Sequence, residues 1–243
     1  MKKLFLLLSL FAGFSSAASA ASISTLNALA ATSFRLLSED LGSALSYKPV
    51  TPPTPLGLTG FDVGLEVTAT DISKSTAALS AASGGGNSIS TLVVPKLHVA
   101  KGLPFGIDLA AFISSIPTTN IKLIGGEFRF ALLSGGIAIP AVGLRLAATQ
   151  LSGVEQLSFN TKSVDISISK GFLLITPYIG IGQVFVKSEA NIAGLGGIVL
   201  RESFSQSKVF AGANLNLGLI NFALEGDKTG GATSYGFKVG FRW

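Results

Sequence analysis

Segment after segment of this chain alternates apolar residues with small or polar ones, and this period of two constrains the fold more than anything else in the sequence. Tyr235, Phe237, Val239, Phe241 and Trp243 fall on one face of the last segment, with Gly236, Lys238, Gly240 and Arg242 on the other. A β-strand sends successive side chains to opposite faces, so this is a strand with one greasy and one polar side. The stretch Phe61 to Ala69 repeats the split, with Asp62, Glu66 and Thr68 on the polar side. In a soluble sandwich a second layer would have to cover each apolar face. Here nearly every segment is alike, and a mean hydropathy of +0.58 is high for a chain dissolved in water. Such alternation is the pattern of a transmembrane barrel, and only a closed barrel satisfies the backbone of every strand within lipid.

The expected fold is therefore all-β, a transmembrane antiparallel barrel of about ten strands, between about eight and twelve. The strands read as 61–72, 91–101, 105–115, 121–133, 137–149, 157–169, 175–188, 202–216, 219–226 and 233–243. Short turns at 102–104, 134–136, 171–175 and near Gly218 alternate with mostly longer loops at 73–90, 114–120, 150–156, 189–201 and 227–232. That alternation suits periplasmic turns and extracellular loops and puts both ends of the mature chain in the periplasm. The 73–90 loop, rich in Ala, Ser and Gly, reads as a mobile surface tip. The apolar, Gly-rich stretch 191–200 reads as the tip of a hairpin that outgrows the membrane or as a contact for a hydrophobic ligand, lipid or partner.

The first residues read as an export signal. Lys2 and Lys3 precede an apolar run, Leu4 to Phe14, and Ala18-Ser19-Ala20 offers a small-residue cleavage site. The run is too short for a membrane anchor, which needs about 20 apolar residues. With those two lysines set aside, the 18 basic residues of the chain become 16 against 13 acidic, which gives no basis for nucleic-acid binding. Charged residues are only 13% of the chain and cysteine is absent, so neither a disordered protein nor a disulfide or thiolate site is in prospect. The organisation follows: 1–20 signal peptide, 21–48 amphipathic helix, 49–60 Pro-rich linker, 61–243 barrel.

The export signal, the alternating strands and the aromatic-terminated last strand together resemble the outer-membrane β-barrel proteins of Gram-negative bacteria. The resemblance implies an outer-membrane location, with membrane lipid as a partner. It also implies that Tyr235, Phe237, Val239, Phe241 and Trp243 are read by the barrel-assembly machinery, although Phe is the commoner last residue.

Strand parity points Asp62, Glu66, Asp108, Glu127, Asp165 and Glu225 inward, together with Lys96, Arg129, Arg145, Lys238, Arg242 and His98. If the first and last strands close the barrel with Phe61 opposite Trp243, Asp62 faces Arg242 and Glu66 faces Lys238. Asp108 is expected to face His98 across the 102–104 turn. Lys101 and Lys170 point outward where they can snorkel to headgroups. Phe61, Phe105, Phe172, Tyr178 and Trp243 are expected to form interfacial girdles.

Ahead of the barrel, Phe34, Leu37 and Leu41 share a helical stripe with Leu26, Ala30 and Leu45, while Arg35, Glu39 and Asp40 lie elsewhere. Such a helix fits as a plug in the lumen or as a periplasmic lid. The leading functional expectation is a narrow helix-gated conduit for small or apolar solutes. The alternative is a non-conducting structural or surface-recognition barrel acting through its extracellular loops. No catalytic, cofactor or metal residues are expected: the sole histidine is His98, placed inside the wall, and no nucleophile elbow or zinc-binding helix motif occurs in its proper context.

Overall fold

In the computed structural model the described residues are 31–82, 89–115, 121–136, 138–154, 156–192 and 198–243. The expected signal peptide, its cleavage site and residues 21–30 of the expected helix lie outside them. Among the described residues two α-helices, α1 (Ala31–Leu45) and α2 (Thr76–Ala82), accompany ten strands. The strands are β1 (Phe61–Asp71), β2 (Thr91–Gly102), β3 (Ile107–Ser115), β4 (Lys122–Ser134) and β5 (Ala141–Ser152). They continue with β6 (Leu157–Ser169), β7 (Ile175–Ile192), β8 (Ile198–Leu217), β9 (Ile220–Thr229) and β10 (Ala232–Arg242). Each pairs antiparallel with the next, and β1 pairs with β10, so the sheet closes and no edge is left. No helix among the described residues is long and apolar enough to cross a membrane.

The period of two becomes a wall with two chemistries. Leu65, Leu97, Leu109, Phe128, Leu146, Ile166, Ile181 and Phe237 are exposed on the outside. The inward positions between them are Ser, Thr, Asn and charged residues, such as Thr68, Ser163, Ser167 and Asn214. An apolar outside around a polar inside is the arrangement that a barrel in lipid needs. The closure register is Asp62↔Arg242 and Glu66↔Lys238, and Phe61 and Trp243 exchange both backbone hydrogen bonds at 2.9 and 3.0 Å. Their rings stack at 5.3 Å.

Several boundaries differ from the sequence reading for local reasons. β3 begins at Ile107 because Pro104–Gly106 forms a 3₁₀ turn in which Phe105 has φ +64° and Gly106 φ +73°. β5 begins only at Ala141, directly after Pro140, which has no N–H to give to a ladder. The expected 227–232 loop is a two-residue turn, Gly230-Gly231, between Thr229 and its partner Ala232. Gly230 has φ +57°, as such hairpins require. Asp227 therefore belongs to β9. The expected mobile tip after β1 is folded at least to Ala82. Ile72, Ser75 and Ala78 are buried there against the α1 end of the molecule, and residues 83–88 lie outside the described ones.

β7 and β8 run 18 and 20 residues and stay paired up to Ile192↔Ile198. At about 3.4 Å per residue they far exceed the ~25 Å apolar band of such a barrel. Their ends accordingly change character. Lys187, Glu189, Arg201, Ser203, Ser205 and Ser207 face outward there, and Val184, Val186 and Ala190 face inward.

Candidate functional site in the occupied lumen

The lumen is filled by the chain's own N-terminal segment. From Gly60, beside Phe61 and Trp243, the chain can be followed backwards up the inside of the wall. Leu56 N–H donates to both oxygens of Asp108 at 3.1 and 3.3 Å, and Arg129 Nη1 donates to Pro52 O at 2.9 Å. Val50 sits over Gly236, where an added Cβ would come within 2.8 Å of it. Lys208 Nζ donates to Tyr47 O at 3.1 Å, and the Tyr47 hydroxyl lies 3.2 Å from His98 Nε2. Four prolines at 49, 52, 53 and 55 keep this stretch extended and leave few N–H groups to satisfy.

Above Tyr47 the segment becomes α1, which touches β1, β2, β7, β8 and β10 from inside and α2 from below the loops. Phe34, Leu37, Leu41 and Leu45 pack with Phe159, Val184, Val186, Val94 and Phe112 in one apolar cluster. Other positions of the helix carry polar side chains with partners on the wall. Arg35 bridges Glu39 at 2.8 Å and Glu202 at 2.9 Å, and the Ser38 and Ser188 hydroxyl oxygens lie 2.7 Å apart. Asp40 accepts the Ser75 N–H at 2.9 Å. Burial lifts the Asp40 carboxyl above the ordinary aspartate range, and the Ser75 contacts oppose that shift. Gly42 lets the helix touch the wall, because a Cβ there would meet Val186 at 2.7 Å and Gln206 at 2.8 Å. The first described residue, Ala31, thus stands at the mouth opposite Trp243.

The inward charges form a near-continuous ladder of alternating sign. Asp108 meets Arg129 at 3.0 Å, Arg129 meets Glu127 at 3.6 Å, and Glu127 meets Arg145 at 3.8 Å. Arg145 then reaches Asp165 at 3.3 Å, and Asp165 lies 3.7 Å from Lys208. Gly182, between those last two in register, makes the crossing possible: its Cβ would lie 1.9 Å from Asp165 Oδ1. On the closing strands Lys238 pairs with Asp62 at 2.7 Å and Arg242 approaches Asp62 at 3.9 Å. Glu66, although opposite Lys238, takes Lys96 of β2 at 2.7 Å. Both lysines are its direct cross-strand neighbours, so register alone leaves the choice open. Glu225 accepts the Tyr178 hydroxyl at 2.9 Å.

Three expectations are corrected by this geometry. Asp108 does not face His98: it lies opposite Gly102 on one side and Arg129 on the other, while His98 lies opposite Phe112. Tyr178 is not in a girdle but points inward, the ring filling the space over Gly212. Lys101 and Lys170 cap carbonyls of their own turn end, those of Leu58 and Gly60 and of Gly136 and Ile139, rather than extending toward headgroups.

The sequence reading missed the charges that hold the segment itself. Lys48 pairs with Asp227 at 3.0 Å, the two side chains being 1% and 2% exposed. Lys208 was passed over although it shares inward parity with Gln206 and Phe210, which was signal enough. Asp227 falls in the expected 227–232 loop, and nothing local marks Lys48, which is 179 residues from its partner. Among the described residues no three His, Asp or Glu side chains converge as metal ligands.

No protein-family model and no curated protein matches this chain. Solved structures do. The N-terminal β-barrel domain of Pseudomonas aeruginosa OprF matches 74% of this chain and 97% of its own, with 16% identity and a TM-score of 0.37. Ail, the attachment invasion locus protein of Yersinia pestis, matches 76% of this chain and 98% of its own at 9% identity and a TM-score of 0.35. Neisserial surface protein A matches 75% and 94% at 10% identity and a TM-score of 0.30. With likenesses this loose, nothing about the action of this chain follows from them.

Proposed function

We propose that the protein is an outer-membrane β-barrel exported by residues 1–20 and closed at rest by its own N-terminal segment, serving as a narrow helix-gated conduit for small or apolar solutes. The single observation that carries the reading is the path of residues 31–60 along the whole inside of the wall. Turn out the segment, and what remains is a passage lined by paired charges toward the turn end and by the apolar seat of α1 toward the loops. In this orientation the turn end with Trp243 is periplasmic. The start of α1 is then presented at the outer mouth, whereas strand topology by itself suggested that both mature ends share the periplasmic side. The outward ladder Tyr235, Phe237, Val239, Phe241 and Trp243 is proposed as the assembly signal. The transport step involves no covalent chemistry.

The seat of α1 sets how tightly the conduit is shut. Burying Phe34, Leu37, Leu41 and Leu45 is worth about 1.5–3 kcal/mol each, which opposes the chain entropy that an undocked segment regains and favours the docked helix. Opening then needs a trigger that binds or pulls the segment. The same apolar seat, with the polar outward faces of the long β7–β8 hairpin, favours the second reading of a permanently closed surface-recognition barrel.

The two readings separate in planar bilayers. Ser38→Cys/Ser188→Cys joins helix to wall where the native oxygens lie 2.7 Å apart, in a chain without other cysteines. The conduit reading expects rare openings from the reduced form, none from the oxidised form, and steady channels after deletion of residues 21–56, which removes the whole stretch held inside the wall. If the deletion variant folds, as judged by heat-modifiable gel mobility, and stays silent, the non-conducting reading replaces it.

A further inference from the structure

The outside of the wall is not uniformly convex. Across β3 to β7 it carries a groove of about 770 Å³, which falls within the usual size of a small-molecule site, about 300–1,000 Å³. Its floor is made of three small outward residues in adjacent register, Ala111, Gly126 and Ala148. Ile124 and Phe185 flank it, both about half exposed. A Cβ added at Gly126 would meet nothing nearer than Ala110 O at 4.0 Å, so the floor is open space and not a packed contact.

The groove lies at a chemical boundary. The next outward row toward the turn end is apolar, Leu109, Phe128, Leu146 and Val164. On the loop side the outward positions become Gln150, Asn160 and Lys187. Lys162 lies opposite Ala148 and Phe185, in the row of the floor itself. Lys162 and Lys187 are diagonal neighbours on β6 and β7, a spacing of about 7–8 Å. Both line the groove and are exposed, and neither has an acidic partner at ion-pair distance among the described residues. The nearby acid that faces outward, Glu189, is engaged by Arg201 at 2.8 Å. An unpaired ammonium at the top of a hydrocarbon belt is costly unless a lipid anion meets it.

We propose that this groove binds an anionic, phosphate-bearing lipid of the leaflet on the loop side, its acyl chain lying over Gly126 and Ala148 and its phosphate between Lys162 and Lys187. The proposal rests on the outer-membrane reading above, since it needs the apolar belt to be in lipid. Apolar floor and paired cations together select the ligand: a free anion would have no use for the floor, and a neutral lipid none for the lysines.

Native mass spectrometry of the full barrel in detergent, titrated with diphosphorylated lipid A, tests it. One lipid should be retained per barrel. Lys162→Ala/Lys187→Ala should weaken retention about 30-fold, from two lost headgroup contacts. Gly126→Leu, which fills open space and leaves the fold intact, should weaken it by a similar factor. Excess inorganic phosphate should not displace the lipid, and phosphatidylcholine should be retained no better by the parent than by the lysine variant. Equal retention by parent and both variants overturns the proposal, and displacement by phosphate alone reduces the site to a bare anion contact and overturns it too. Vesicle insertion, read as protection of the barrel from added protease, is scored separately. A barrel that inserts without holding the lipid overturns this inference and leaves the membrane reading standing; one that does not insert overturns both.

Discussion

Lys48→Met is the sharpest probe of how the N-terminal segment is held. Lys48 Nζ lies 3.0 and 3.1 Å from the two carboxylate oxygens of Asp227, and both side chains are almost wholly enclosed. Two unit charges at that distance attract by about 5 kcal/mol at an effective dielectric constant of about 20. Desolvation offsets much of this, so the pair itself adds little net stability. Removing one partner is different. Asp227 would keep the Thr229 hydroxyl at 2.9 Å and the longer-range attraction of Lys208 but no hydrogen-bonded cation, and stranding a buried charge costs at most about 3–5 kcal/mol. Undocking the segment exposes Asp227 to water and relieves that cost, so the undocked population should rise by up to about 10²–10³-fold. Ser43→Cys supplies the readout. Ser43 is fully buried, its hydroxyl has no hydrogen-bond partner, and the chain holds no other cysteine. Thiol labelling of Cys at this position in detergent micelles follows the undocked population when opening and closing outpace the reaction. Labelling in the Lys48→Met background at the parental rate would refute the reasoning. The double variant Lys48→Met/Asp227→Asn should label nearly as slowly as the parent. If it labels as fast as the single variant, lost packing of the lysine stem is the cause and not the stranded carboxylate.

The same labelling assay checks three further expectations. Gly42→Val should speed labelling, because its Cβ would press within 2.7 Å of Val186 and such overpacking costs about 1–3 kcal/mol. Phe34→Ala should speed it more, by the loss of a large side chain from the apolar cluster at about 3–5 kcal/mol; labelling no faster than in Gly42→Val would mean that the cluster does not hold the helix. For Asp40 the sign runs toward acid. Burial raises its folded pKa above the ordinary 3.8, so its contribution to docking is fully present below about pH 4 and is lost as pH rises through the raised value. Labelling should therefore slow on acidification from neutral, and Asp40→Asn should remove that part of the pH dependence; an unchanged profile in the variant would assign the effect to other groups.

Much of the wall was legible because a strand's side-chain period is two and cannot drift. Inward parity alone put Asp62, Glu66, Lys96, Glu127, Arg145 and Asp165 in the lumen, and supposing Phe61 opposite Trp243 matched Asp62 with Arg242 and Glu66 with Lys238, the register the wall adopts. The sequence carries one further signal of the wall. In β6 the apolar residues change phase, from Leu157 and Phe159 to Val164, Ile166 and Ile168. The lower phase faces outward; the upper phase faces inward, under α1. That switch marks the height at which the outside of the wall leaves the apolar belt and the inside becomes a core. The lysines of the outer groove sit at the same height, Lys162 being the outward residue at which the phase turns.

Alternation along the chain thus determined the barrel, its approximate strand count and its two faces, since each of these depends on neighbours one or two residues apart. Partner choice was decided only in three dimensions. Glu66 has a lysine directly opposite on each side, and only side-chain reach gives it Lys96 and leaves Lys238 to Asp62. The position of α1 was likewise open in the sequence, where an amphipathic helix suits a plug as well as a lid. Closing the wall brings Val184, Val186, Phe159 and Phe112 to face one another across a space that only that helix fills, and it sets Asp227 at the depth of Lys48. Contacts between residues 179 positions apart leave no local pattern, because they exist only once the cylinder has closed around them.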